Sequence, residues 1–337
     1  MSALVIERVD PFDDAAFDAW FDAVTASWLD VRGPDADVWA RGELRAELRQ
    51  TSETTDRRAY LGRADGVVVA GAWMAMPLLD NLHRATIVVA VLPDHRRLGH
   101  GTHLLDHVEA EAHARARTSL TGEIWWPWSL GSGGEGSPGR EFAVARGYAS
   151  ALVEVRRLLR LPVPAEVLDR LSAEAAARHG SYTLRSWVGP VPEDIVEGWA
   201  VLDASLNTEA PTGDLEVETP EPDVAKVREM EDLVVAQERT LYHTVALDPD
   251  GQVVAYTVIG YSSQDGRSYQ WGTLVAGAHR GHRLGLAVKV ANLRLLQSER
   301  PEVPTVSTYN AEMNTHMIQV NEAMAFEPVE WLGNFQK

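Results

Sequence analysis

The residues Val89-Ala90-Val91-Leu92-Pro93-Asp94-His95-Arg96-Arg97-Leu98-Gly99-His100-Gly101-Thr102 have the types and spacing to seat a pyrophosphate. An apolar strand runs into a basic, glycine-bearing turn that opens a helix. Such a start leaves backbone N–H groups without partners and carries the positive end of the helix dipole. Glycines at 99 and 101 let those amides approach a phosphate with no Cβ between them, and Arg96 and Arg97 add charge. The spacing is neither the dinucleotide Gly-x-Gly-x-x-Gly nor the P-loop, since no Gly-Lys-Ser/Thr follows. An ordinary strand–turn–helix with surface arginines would also fit the letters. A diluted copy at Val275 to Ala287 favours the phosphate seat.

The elements around the loop repeat as well. Before it, the pattern predicts a strand at 4–9, helices near 15–28 and 38–48, and a meander of strands at 59–63, 67–77 and 84–92. After it come a helix with Leu104, Leu105, Val108 and Ala112 on one face, and a strand at 120–126. A Gly/Ser-rich loop (131–139), a short helix at 140–146 and a strand at 152–161 follow. The run Leu161-Pro162-Val163-Pro164 breaks the chain. A helical linker at 165–178 is expected, and then the same order restarts. Its end holds a loop-helix at 280–296, a strand at 305–309, a helix at 315–325 and a strand near 328–335. Arg96 and Arg280 stand 184 residues apart, which an internal duplication explains better than chance. The expected organisation is a first domain over 1–161, a linker over 162–180 and a second domain over 181–337. A meander placed before the loop-helix makes each half mixed α+β rather than doubly wound.

Composition narrows the function classes. The 337 residues exceed one typical domain, and 45% apolar content fills two cores. No apolar run is long enough to span a bilayer, and the N-terminus carries acids where a signal peptide has bases, so a cytoplasmic protein off the membrane is expected. With no cysteine, disulfides, thiolate metal sites and a cysteine nucleophile are excluded. His95, His100, His103 and His107 cluster near the loop without a ligand spacing, so no metal is expected. A net charge of −18 disfavours nucleic acid and suits a cationic substrate or mere solubility.

Arg-x-x-Gly-x-Gly after a strand ending Val-x-Pro resembles the acetyl-CoA loop of the GNAT acetyltransferases. With Ala210-Pro211-Thr212-Gly213-Asp214-Leu215, His279-Arg280-Gly281-His282-Arg283-Leu284-Gly285 and Thr308-Tyr309-Asn310-Ala311 through Asn314, the chain resembles tandem GNAT proteins of actinobacteria over nearly its whole length. The resemblance implies two GNAT folds, each a central, mostly antiparallel sheet flanked by helices. It implies acetyl-CoA as co-substrate and direct attack of an amine on the thioester. Backbone groups of the strand before the loop then face the oxyanion and pantetheine: Val89 and Val91 in the first half, Val275 and Gly277 in the second. The phosphate loops are Arg96-Arg97-Leu98-Gly99-His100-Gly101-Thr102, and Arg280 to Gly285 with Arg283 in place of the first glycine.

The family's next helix carries an asparagine on the cofactor and a tyrosine acid. In the second half these positions are Asn314 and Asn321, with Asn310 just upstream; in the first they are Gly136 and Ala143, and Gly147-Tyr148 matches the Gly-Phe that follows. Neither half keeps the tyrosine, although a CoA thiolate with a thiol pKa near ~8.5 leaves without strong assistance. The family's glutamate base maps to Ala85 and Trp271, which accept no proton. His83 and Glu123 are the substitutes in the first half, and a water relay is the alternative. Trp125, Trp126 and Trp128 either pack the core and rim or line an acceptor pocket. The expectation is transfer of acetyl to a primary amine of a small, cationic molecule. A silent acyl-CoA-binding scaffold and a protein-amine acetyltransferase are the alternatives, and a homodimer stays open.

Overall fold

The computed structural model describes residues 4–34 and 36–337. It divides into two compact units, the first made of residues 1–153, 213–216 and 330–337, the second of 154–212 and 217–329.

The first unit contains β1 (Val5–Arg8), α1 (Asp14–Arg32), α2 (Arg41–Arg49), β2 (Thr55–Ala64), β3 (Val67–Pro77), β4 (Arg84–Val91), α3 (His100–His113), β5 (Ser119–Pro127) and α4 (Pro138–Ala145). The strand that completes its sheet is the last of the chain, residues 330–336 of the strand Glu327–Gln336. Strand order is β1-β2-β3-β4-β5 and then this C-terminal strand, antiparallel throughout except for the parallel pair β4–β5. Asp13 caps α1 by accepting from the amides of Ala15 and Ala16. Phe17, Trp20, Phe21 and Val24 of α1 bury one face of the sheet together with Leu61 and Ala90. Gly71 permits that approach, since a Cβ there would come within 2.7 Å of Val24. On α3 the predicted stripe of Leu104, Leu105, Val108 and Ala112 is buried.

The second unit contains the end of β6 (Ala149–Arg160) from Glu154 on, α5 (Ala165–Ala176), β7 (Thr183–Val188), α6 (Val196–Ala204), α7 (Leu206–Glu209) and α8 (Val224–Ala236). β8 (Arg239–Leu247), β9 (Val253–Ser262), β10 (Ser268–Val275), α9 (Leu284–Glu299), β11 (Thr305–Ala311), α10 (Thr315–Ala323) and the start of β12 (Glu327–Gln336) follow. Its strand order is β6-β11-β10-β9-β8-β7, with β10–β11 the parallel pair. Leu286, Val290, Leu293 and Leu296 of α9 pack one face, and Trp199 and Leu202 of α6 with Val234 of α8 pack the other. Burial is not all apolar. Lys289 of α9 is 1% exposed with its ammonium 5.1 Å from the Phe326 ring, and desolvation lowers its pKa to about 7.

Each half is thus mixed α+β, and the order of elements repeats as the sequence predicts. The expected bounds of 1–161, 162–180 and 181–337 follow chain order, whereas the observed units do not. β6 pairs with β11 of the second unit, and the C-terminal strand pairs with β5 of the first. The helix expected as a linker, α5, buries Leu168, Leu171 and Ala175 in the second core. Each leucine so buried contributes roughly 1.5–3 kcal/mol, so α5 is a structural part of that unit.

Candidate active site

β4 and β5 pair only from Arg84↔Ser119 to Ile87↔Gly122 and then part. The outer half of β5 instead runs beside the C-terminal strand, from Gly122↔Phe335 to Pro127↔Glu330. A cavity of about 800 Å³ occupies the gap, lined by Val88 to Val91 on one strand and Glu123 to Trp125 on the other. On one face of the sheet it is closed by the loop, α3 and α4, with Gly99, Gly101, Thr102, Gly139 and Phe142. On the other it is closed by α1, with Ser27, Trp28, Val31 and Arg32. Close approaches fix which strand residues face where. A Cβ on Gly101 would lie 3.4 Å from Val91, and one on Gly139 would lie 2.8 Å from Ile124, so those two face α3 and α4. By alternation Glu123 and Trp125 face α1, as does Ala90, which packs in the α1 core.

The strand offers its backbone to the gap. Leu92 N–H donates to Val69 on β3 at 2.9 Å. Period two then sends the N–H groups of Ala90 and Val88 toward β3 and those of Val89 and Val91 toward the vacated side.

Beyond it the loop makes a 3-10 turn at Pro93–His95, an extended Arg96, and left-handed residues at Arg97 (φ 63°) and Gly99 (φ 86°). Gly99 is the N-cap of α3 and has no side chain to satisfy the first amides. The two arginines differ. Arg96 is a brace: its Nε donates to Val91 O at 3.1 Å, one Nη to Ser27 O at 3.3 Å, and the other pairs with Asp30 at 2.6 Å. Arg97 lines the cavity and has no ion pair among the described residues. Leu98 is exposed, whereas His100 is buried with its ring 6.4 Å from that of His95. No group of histidines or acids among the described residues is arranged to hold a metal ion.

The candidate bases separate. Glu123 reaches the cavity on the α1 side, whereas His83 is not among the lining residues. His83 precedes β4, and its carbonyl accepts from Thr118 and Ser119. At ~3.3 Å per residue it lies roughly 20 Å along the strand from Val89. The three tryptophans also separate. Trp126 is buried and its indole N–H holds the glycine-rich loop by donating to Gly131 O at 2.8 Å. Trp128 stacks on Trp331 at 4.3 Å, outside the cavity. Trp125 lines it, 5.9 Å from the Trp28 ring. Ala143 occupies the family's acid position, and the Tyr148 phenol is turned away to donate to Glu109 at 2.9 Å; burial pushes its pKa up. Trp28, Arg32 and Phe142 carry no sequence signal beyond helix periodicity and were not anticipated.

The second unit repeats the backbone and changes what it holds. Arg280 is extended like Arg96 (φ −69° against −71°). The left-handed positions recur as Gly281 (φ 88°) and Arg283 (φ 59°), the latter capping α9. Ala276 N–H donates to Val254 O as Leu92 does to Val69, so Val275 faces the gap beside β11, while Gly277 opens the 3-10 turn. Here both arginines are engaged by acids, Arg280 with Glu209 at 2.5 Å and Arg283 with Glu174 at 2.6 Å. His282 packs on the Tyr182 ring at 5.3 Å, Leu284 is buried, and Gly285 lies against Val275. Asn314 caps α10 by accepting from Met317 N–H at 3.1 Å, and Asn310 accepts from the Asn321 amide. The side-chain oxygens of the two asparagines expected on a cofactor thus accept hydrogen bonds from within the second unit.

A model of the Acetyltransferase (GNAT) family matches residues 17–126, which include β4, the loop, α3 and most of β5. No curated protein matches the sequence. Among solved structures, a tandem GNAT protein from the clavulanic acid biosynthesis pathway superposes with a TM-score of 0.78 at 26% identity, covering 99% of this chain and 98% of the other. A GCN5-related N-acetyltransferase from Sphaerobacter thermophilus gives 0.64 at 16%, covering 99% and 95%. In fold alone, a structure described as a putative acetyltransferase from Pyrococcus horikoshii gives 0.57 at 10%, covering 100% and 90%. Residues 17–126 thus match the GNAT acetyltransferase family, and the chain as a whole is similar in fold to a tandem GNAT protein.

Proposed function

We propose that the first unit binds acetyl-CoA and transfers its acetyl group to a primary amine of a small molecule. The observation that carries this reading is the cavity through the β4–β5 gap, which joins a glycine-capped helix start on one face to a carboxyl group on the other. The amides at the start of α3, with Arg97, would hold the pyrophosphate. Val91 would bond the pantetheine arm and Val89 N–H would face the carbonyl oxygen as it gains charge. An ammonium entering from the α1 side loses its proton to Glu123, directly or through water, and the free amine attacks the thioester carbon. The C–N bond forms, the C–S bond breaks with CoA leaving as its thiolate, and the proton left on the acylated nitrogen passes through water to that thiolate. Because the second loop's arginines are neutralised by Glu209 and Glu174, one CoA per chain is expected.

Thiol release from acetyl-CoA across an amine panel tests this reading. At least one amine should give release above hydrolysis, and Glu123→Gln should lower kcat by about a hundredfold, the range of general base catalysis. The silent acyl-CoA-binding reading draws on Ala143 and Asn321 at the two acid positions. Bound CoA with no release for any amine would establish it.

A further inference from the structure

The α1 side of the cavity contains a buried ion pair joining residues 298 apart. Arg32, in the last turn of α1, donates Nε to Glu330 Oε1 at 2.7 Å and an Nη to Oε2 at 2.9 Å. Its other Nη donates to Asp37 O at 3.1 Å, and the two side chains are 3% and 5% exposed. The guanidinium lies 4.7 Å from the centre of the Trp125 ring, which packs on Trp28. Arg32, Trp125, Trp28 and Glu123 all line the cavity on the face opposite the loop. A lone buried guanidinium in that wall would repel any ammonium brought to Glu123, because little solvent screens it. Glu330 cancels that charge at bidentate geometry. It leaves a wall of two indoles in which the Arg32 cation is already matched.

We propose that Glu330 is a positioning residue for acceptor recognition: by holding and neutralising Arg32 against Trp125, it makes the first unit select amines that carry positive charge and no carboxylate. A ligand carboxylate would have to displace Glu330 from Arg32, while an amine cation meets no net charge from the pair. The inference rests on the reading of the first unit as an acetyltransferase.

The test uses the full chain saturated with CoA and measures binding of matched pairs by calorimetry: tyramine and tyrosine, histamine and histidine, putrescine and ornithine. The wild type should favour the member without the carboxylate in each pair. Glu330→Gln should shift that preference by about tenfold or more toward the carboxylate-bearing member, as an unmatched like charge requires. The double variant Arg32→Met with Glu330→Met, which removes both charges and keeps the bulk, should return the preference to near the wild-type value. CoA affinity should stay constant in all three proteins. A merely structural role would lower the melting temperature of Glu330→Gln and leave the preference where it was, which overturns the proposal. Should Glu330→Gln not fold, the double variant decides, because loss of the preference in it contradicts a role exerted through charge. A chain that binds CoA and none of the six probes overturns the acceptor wall alone. A chain that binds no CoA overturns the acetyltransferase reading beneath it.

Discussion

The loops that open α3 and α9 share a backbone and differ in what their arginines pair with. Residue by residue, the turn, the extended arginine and the two left-handed positions recur at the same offset. Glycine and arginine have traded places at the left-handed positions, Arg97 and Gly99 in one loop and Gly281 and Arg283 in the other. The first loop keeps the glycine at the helix N-cap and, in Arg97, an arginine with no ion pair among the described residues. The second sets an arginine on the N-cap, and Glu209 and Glu174 hold its cations. Backbone shape is therefore preserved where the pairing of the arginines is not, and the proposed single CoA site rests on that difference.

The largest test of that contrast is Gly99→Glu against Arg283→Glu. The first places a carboxylate and a strained Cβ at the anion seat and should lower CoA affinity by at least about a hundredfold. The second should leave calorimetric affinity and stoichiometry unchanged; loss of binding in both would make the loops equivalent. Next in size, Arg97→Ala should weaken CoA about tenfold, the worth of one charge-assisted hydrogen bond. Arg280→Ala should do nothing to the same isotherm.

A third prediction concerns stability. Lys289 has a folded pKa of about 7 against an ordinary 10.5, so between those values the unfolded chain binds the extra proton. Stability of the second unit should rise with pH across that window and stay flat just below it. Lys289→Met should raise the melting temperature at pH 7 and remove the slope; a slope that survives assigns it to other groups. The smallest effect is conformational. Gly99→Ala should cost about 1 kcal/mol in thermal unfolding, since φ is 86° there. Arg283→Gly should cost nothing, the relief of its left-handed backbone offsetting loss of the exposed Glu174 pair. Destabilisation by both would break the residue-by-residue correspondence.

Much of this was legible in the sequence because it is local. Arg96 to Gly101 announce a turn and a helix start within six residues, and the copy at Arg280 is visible for the same reason. What the loop's charges meet was not legible. Asp30, Glu209 and Glu174 reach Arg96, Arg280 and Arg283 from distant helices, and an acid on a helix surface carries no mark of its partner. The site shows the same division. That Glu123 lines the cavity follows from strand alternation, whereas the position of His83 outside its lining depends on where β4 and β5 part, which pairing geometry sets. Glu330 was invisible, since a strand near the C-terminus shows its period and not the strand beside which it will lie.

That last strand has a consequence for how the protein is made. The first unit is synthesised early but lacks its final strand until residues 330–336 have left the ribosome. Until then the outer half of β5 lacks the neighbour it pairs with, and an unpaired edge of that kind is prone to pair wrongly. Removing residues 330–336 would leave that half of β5 without its neighbour and take Glu330 from Arg32.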